Sequence, residues 1–195
     1  IREALHNCIA HQDYELCSRI SVIEKPEELI FSNAGSFLPG NVESVIEKDS
    51  PPKYYRNQFL SNVMVTLNMI DTVGGGIKKM FAKQRERFFP LPTYILENLN
   101  EVTVKIIGRV LDQNYTHLLI KHADLDIQTV ILLDKIQKKD KIDKQIYQKL
   151  KKQGLAEGRY PNIFVVSKIA AVTGDKVSYI KNRAFDADYY KKLII

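Results

Sequence analysis

Several things are scarce in this chain, and each scarcity excludes a class. No apolar run approaches the roughly 18–20 residues that a membrane-spanning helix needs, so no membrane partner is expected. There is no tryptophan, and only two cysteines, Cys8 and Cys17, occur in 195 residues. Neither pairs with His6, His11, His117 or His122 at a metal-ligand spacing, so both are expected to be reduced thiols in a reducing, cytoplasmic setting. No G-x-x-x-x-G-K-[ST] phosphate loop is present, which excludes a motor built on that device. A leader peptide is not expected either, because Ile1-Arg2-Glu3-Ala4-Leu5 reads directly as helix. The chain opens without Met and closes on Leu193-Ile194-Ile195, so both ends read as cut from something longer.

What is present is basic charge, and it is unevenly placed. The formal net charge is +6, yet residues 1–112 carry 13 Lys and Arg against 14 Asp and Glu. Residues 113–195 carry 16 against 9, a net of +7. Basicity confined to one part of a chain points to an anionic partner, nucleic acid being the commonest.

The first part alternates helical and strand periodicities. A helix opens the chain, with Leu5, Cys8 and Ile9 as an apolar stripe and Glu3, Asn7 and His11 as a separate polar one. Ser18–Glu24 and Glu28–Ser32 read as a hairpin turning at Lys25-Pro26-Glu27. Residues 41–56, with Pro51-Pro52, read as a long binding or lid loop. A helix over Asn57–Ile70 is expected to bury Phe59, Leu60, Val63, Leu67 and Ile70. A second runs from about Ile77 to Phe88, and Tyr94–Leu96 with Glu101–Leu111 forms another hairpin. The expected fold class is α+β: a two-layer α/β sandwich over 1–112, its sheet covered on one face by helices.

After Asp112 the pattern turns helical and lysine-rich. Helices are expected over Asn114–His122, from Asp124 or Asp126 through Gln137, and over Asp143–Gln153, where Ile142, Ile146 and Leu150 point inward and Gly154 closes the end. A turn at Gly158-Arg159-Tyr160-Pro161 and a strand at Ile163–Val166 complete a winged-helix domain over 113–166. Residues 167–195 are expected to be a helical extension, cut short.

Three constellations carry chemistry. Glu3-x-x-x-Asn7 places both side chains on one helix face. The Asn7 amide oxygen suits a hard, water-retaining cation such as Mg²⁺, and Glu3, one turn earlier, suits a base that deprotonates water. The alternative is a plain solvated face. Asn33-x-Gly35 with Gly40, and Gly74-x-Gly76 before a helix, let backbone amides approach phosphate. The alternative is glycines that merely join helices at an angle. Around the third basic helix, Lys144, Gln145, Gln148, Lys149 and Lys152 face outward, with Arg159 and Tyr160 at the wing tip. Glutamines there suit adenine edges, and lysines suit phosphates. A lysine-rich face used for protein contacts is the alternative.

In order along the chain, Arg2-Glu3-Ala4-Leu5-His6-Asn7, His11-Gln12-Asp13-Tyr14, Ile30-Phe31-Ser32-Asn33-Ala34-Gly35, Leu38-Pro39-Gly40, Tyr55-Arg56-Asn57 and Gly74-Gly75-Gly76-Ile77 resemble a known family. It is the RecG C-terminal-like, or ATP-dependent DNA helicase-related, branch of the ATPase fold of gyrase B, MutL and histidine kinases. The resemblance continues through Gly154-Leu155-Ala156-Glu157-Gly158-Arg159-Tyr160-Pro161-Asn162 and so covers most of the chain. It implies an abbreviated ATPase domain binding ATP or ADP with Mg²⁺, with Glu3 as water-activating base and Asn7 as metal ligand. Asn33 stands where the larger superfamily has an adenine-reading Asp, and Gln12 where Arg is expected. Members are described as transcriptional regulators, which implies DNA as partner and leaves a homodimer open. Three functions follow: a DNA-binding regulator with a nucleotide site, a slow Mg-dependent and DNA-dependent ATPase, or a structural dimerisation module with a degenerate site.

Overall fold

In the computed structural model, residues 1–47, 55–70 and 75–166 are described. The chain divides into two compact units, Ile1–Leu111 and Asp112–Ile195. Among the described residues are seven α-helices and six strands. The expected extension at 167–195, Pro51-Pro52 and Gly74 lie outside the described residues.

In the first unit, helix α1 (Arg2–His11) precedes the antiparallel hairpin β1 (Ser21–Lys25) and β2 (Glu28–Ala34). Helices α2 (Val42–Glu47), α3 (Gln58–Thr66) and α4 (Gly76–Glu86) follow, and β3 (Thr93–Ile95) and β4 (Glu101–Ile107) close the unit. The strands form one antiparallel sheet in the order β1-β2-β4-β3. Register puts Phe31 of β2 opposite Val104 of β4, which in turn opposes Tyr94 of β3. These residues share the face on which Ala4 and Cys8 of α1 and Met80 of α4 pack, forming the core with Val102. The expected mixed α/β arrangement with an antiparallel sheet is therefore present.

Three details differ from the sequence expectations. Leu5 is outside and Ala4 inside, because only small side chains let α1 lie close against the sheet and α4. The expected loop at 41–56 contains α2, whose first turn is held by Asn41 Oδ1 accepting from the Ser44 backbone N–H at 2.7 Å. Helix α3 ends at Thr66, and its buried residues are Ser61 and Met64. Phe59 is 83% exposed and Leu67 64%. The rotation of α3 is set by a polar anchor at its start: Asn57 Nδ2 donates to the carbonyls of Ala10 (3.1 Å) and Gln12 (2.7 Å) at the end of α1.

In the second unit, α5 (Gln113–Lys121), α6 (Ile127–Gln137) and α7 (Lys144–Lys152) precede a two-stranded antiparallel hairpin, β5 (Ala156–Arg159) with β6 (Asn162–Val165). Each helix begins on an aspartate whose carboxylate accepts a first-turn amide: Asp112 from Asn114, Asp126 from Thr129 and Asp143 from Gln145. Such caps contribute about 1 kcal/mol each. Gly154 (φ 70°) ends α7, with the Gly154 amide donating to Lys151 O and the Leu155 amide to Leu150 O, the paired bonds of a glycine-terminated helix. Tyr115, Val130, Leu133, Leu150 and Val165 are fully buried.

Strand β5 was not expected. Ala-Glu-Gly-Arg has little strand propensity, and its pairing with β6 decides its conformation. The inward face of α7 also differs. Tyr147 and Leu150 are buried, whereas Ile146 is 37% exposed. Tyr147 takes the inner place because its hydroxyl finds an acceptor there, the Gly158 carbonyl at 2.6 Å.

Candidate functional site

The first constellation lies where α1 meets the start of α4. Glu3 and Asn7 stand one turn apart on α1, both half-buried. Gly76 opens α4 directly against them: a methyl built on Gly76 would stand 3.1 Å from Glu3 Oε2 and 3.5 Å from Asn7 Oδ1. Glycine leaves this space open, and an alanine would require the Glu3 side chain to give way slightly. The first turn of a helix presents backbone N–H groups without intrahelical acceptors and the positive end of the helix dipole. The structure thus brings Gly76 against Glu3 and Asn7, the pair that helical spacing alone puts on one face, and Gly74 is outside the described residues. Arg2 lies 3.8 Å from Glu3, itself mostly exposed.

No group of three or more His, Cys, Asp or Glu able to hold a metal occurs among the described residues. One carboxylate and one amide oxygen fit a cation that arrives on phosphate and keeps most of its waters, and they fit no self-contained metal centre.

The second constellation gathers at the far end of α1, and here the residues have other partners. Asn33 is buried, and its Nδ2 donates to Ala34 O (3.0 Å) and His11 O (3.4 Å). Gly35 (φ 108°) donates its amide to Asn100 O at 2.9 Å. The Arg56 guanidinium lies over its α-carbon, where a methyl would meet Cζ and Nε at 3.0 Å. Gly40 (φ 84°) sits on an open turn, its amide donating to Phe37 O.

The structure supplies roles for the residues around this end. Arg56 pairs with Asp13 Oδ2 at 3.0 Å and donates to Ser36 O and Oγ at 3.1 Å. Gln12 Nε2 donates to Ser18 O, and its Oε1 accepts the Ala34 amide. His11 stacks on Tyr55, ring centroids 6.1 Å apart. Burial, and then the nearby Arg56 charge, push the His11 pKa below its usual value. The segments His11–Asp13, Asn33–Ser36 and Tyr55–Asn57 form one network. The signal in the sequence was the recurrence of polar residues with paired donors and acceptors beside the glycines.

In the second unit, Lys144, Gln145, Gln148, Lys149 and Lys152 are all exposed on α7. Gln145, Gln148, Lys149 and Lys152 lie opposite the buried Tyr147 and Leu150, as helical spacing requires. Arg159 is exposed at the end of β5. Tyr160 folds back: its hydroxyl donates to Ile142 O at 3.3 Å and its ring packs on Tyr147. Tyr160 nevertheless stands in the turn that joins β5 and β6 and is exposed. Two lysines of the cluster are also engaged. Lys138, half-buried, pairs with the buried Asp134 at 2.6 Å, and Lys151 reaches Gly158 O and the Tyr147 ring.

Residues 18–106 match the family described as "Putative ATP-dependent DNA helicase recG C-terminal". This segment is a domain of that family. It is an ATPase-related domain, and the matched range begins after α1, so Glu3 and Asn7 precede it. Among solved structures, the DIP2311 protein of Corynebacterium diphtheriae is similar, with a TM-score of 0.53 and 17% identity over 86% of this chain. That likeness is one of fold, and the chain covers 40% of the other protein. No curated relative matches. No helix among the described residues is long and apolar enough to cross a membrane.

Proposed function

We propose that this RecG-type domain binds a Mg²⁺-nucleotide by its phosphates, and that the second unit is a winged helix that binds DNA, together making a nucleotide-responsive transcriptional regulator. The observation that carries the first half is Gly76 set against Glu3 and Asn7. Phosphate oxygens accept from the amides of the first turn of α4, and the missing side chain at 76 leaves room for them. Mg²⁺, when bound with the nucleotide, neutralises phosphate charge. Asn7 would hold that cation through its amide oxygen. Glu3, one turn away, orients water and takes its proton, giving slow hydrolysis. Wild type is expected to show a nucleotide-dependent rise in melting temperature, which Asn7→Ala abolishes. Glu3→Gln keeps the rise and loses phosphate release. An unchanged melting curve at millimolar nucleotide would leave the structural-module reading in its place.

The DNA half rests on Gln145, Gln148, Lys149 and Lys152 standing together opposite the buried face of α7, beside a hairpin that serves as the wing. Lysines at phosphates release counterions, so affinity falls with salt, by a log–log slope of about 0.9 per contact. Lys149→Ala/Lys152→Ala is expected to lower that slope by roughly two. Gln145→Ala or Gln148→Ala changes sequence preference. Lys191→Ala/Lys192→Ala is the charge-matched control. Equal behaviour of the two double variants would assign α7 to protein contacts.

A further inference from the structure

We infer that Tyr147 of α7 is a positioning residue for the wing: it holds the β5 backbone at Gly158, so that Arg159 makes one phosphate contact in addition to those of Lys149 and Lys152. The inference rests on the DNA-binding reading of the second unit and concerns how its hairpin is held. Arg159 is the last residue of β5 and opposes Asn162 across the turn. Its side chain is exposed and forms no ion pair among the described residues.

The outer edge of β5 is held by α7. Leu155 O accepts from the Val166 N–H, so that carbonyl faces the β6 side of the hairpin. Residues of an antiparallel pair alternate between bonding the partner strand and facing away from it. Gly158, three residues on, therefore turns its carbonyl away from β6. Two donors of α7 meet it there, the Tyr147 hydroxyl at 2.6 Å and Lys151 Nζ at 3.3 Å. The two differ in weight. Tyr147 is buried and its bond is short, whereas Lys151 is exposed, with its ammonium 5.7 Å from the Tyr147 ring centre. Water competes for the exposed ammonium and not for the buried hydroxyl, so the tyrosine is the main tie.

The turn is tied a second time. The Tyr160 hydroxyl donates to the carbonyl of Ile142, the residue before the Asp143 cap of α7, at 3.3 Å. Its ring packs on Tyr147, with centroids 6.2 Å apart. Arg159 thus lies between two residues that are each bound to α7 or to its entry. Gly158 has φ 108°, and a methyl there would stand 2.5 Å from Asn162 O, so the chain passes through this point only as glycine. A cationic side chain adds to phosphate binding when its backbone is already held, since a loose turn must first be ordered. Tyr147 supplies that order without charge. It acts through Arg159 and touches no phosphate itself.

The test is duplex DNA binding by the whole chain over a salt series, for wild type, Tyr147→Phe, Arg159→Ala and the double variant. Each phosphate contact contributes about 0.9 to the log–log slope of affinity against salt. Tyr147→Phe removes one hydroxyl, keeps a ring against Tyr160 and changes no charge. Its slope is expected to fall by about 0.9, as that of Arg159→Ala does, and the double variant is expected to fall no further. A hydroxyl with a purely structural role would lower the melting temperature and leave the slope alone. That result in folded Tyr147→Phe overturns the inference. A fall of about 1.8 in the double variant also overturns it, because the two residues would then act independently. A wild-type slope in Arg159→Ala removes the wing contact and leaves the DNA reading with Lys149 and Lys152. Absence of duplex binding by the folded wild type overturns both. Should Tyr147→Phe unfold, Tyr160→Phe releases the same turn from Ile142, and the same fall in slope is expected; an unchanged slope there overturns the inference.

Discussion

Gly76 allows folding and binding to be separated with one methyl. Its backbone is ordinary helix, so Gly76→Ala meets no dihedral strain and gains up to about 1 kcal/mol of helix propensity. The same methyl stands 3.1 Å from Glu3 Oε2 and fills the space beside Asn7. The expected variant melts at or above the wild-type temperature while losing most of its ATP-induced rise. A folded variant that responds to ATP as wild type would put the ligand elsewhere. His11 gives a second residue-scale prediction. Its folded pKa lies below the usual 6.5, through burial and then Arg56. The unfolded ring therefore takes a proton that the folded ring resists, so stability is complete above pH 6.5 and falls as pH drops below it. His11→Phe keeps a ring on Tyr55 and should flatten that decline, as read from melting temperatures between neutral and mildly acidic pH. The thiols differ likewise. Burial pushes Cys8 up to about 11, while Cys17 is exposed. Alkylation of the native protein is expected at Cys17, with Cys8 reacting only on unfolding.

Among the elements, existence and order were legible where periodicity was strong, and faces were legible less often. Glu3 and Asn7 were found because spacing alone puts them on one side of α1. Helix α3 shows why spacing alone fails: two apolar stripes satisfy the same period, and Asn57 chooses between them by binding the carbonyls of Ala10 and Gln12. A long-range polar anchor leaves no trace in hydrophobic counting. Strand β5 was missed for a similar reason, since its partner and not its composition makes it a strand. The α3 assignment is checked by unfolding in denaturant. Met64→Ala is expected to cost about 2–5 kcal/mol, because Met64 is buried. Phe59→Ser is expected to change stability by no more than about 0.5 kcal/mol. The reverse ranking would mean that α3 turns its other stripe inward.

Across the whole molecule, a division of labour follows from charge and glycine placement. The first part is near neutral and carries the glycines beside Glu3, Asn7 and Asn33; the second carries the surplus lysines. The antiparallel sheet and its covering helices could be anticipated from hydrophobic periodicity, and the domain match to residues 18–106 takes in the motifs from Ile30 to Ile77. The contact of Arg56 with Gly35 was not legible, because it spans 21 positions of sequence and only the folded chain brings the two together. The central claim is that the phosphates of a nucleotide sit between α1 and the start of α4. Calorimetric titration of Mg²⁺-ATP into wild type and into Asn7→Ala, with matched melting temperatures in the absence of ligand, tests it most directly. The account predicts saturable binding by wild type and a loss of roughly tenfold or more in the variant. Equal affinities, or no binding by the folded wild type, would contradict it.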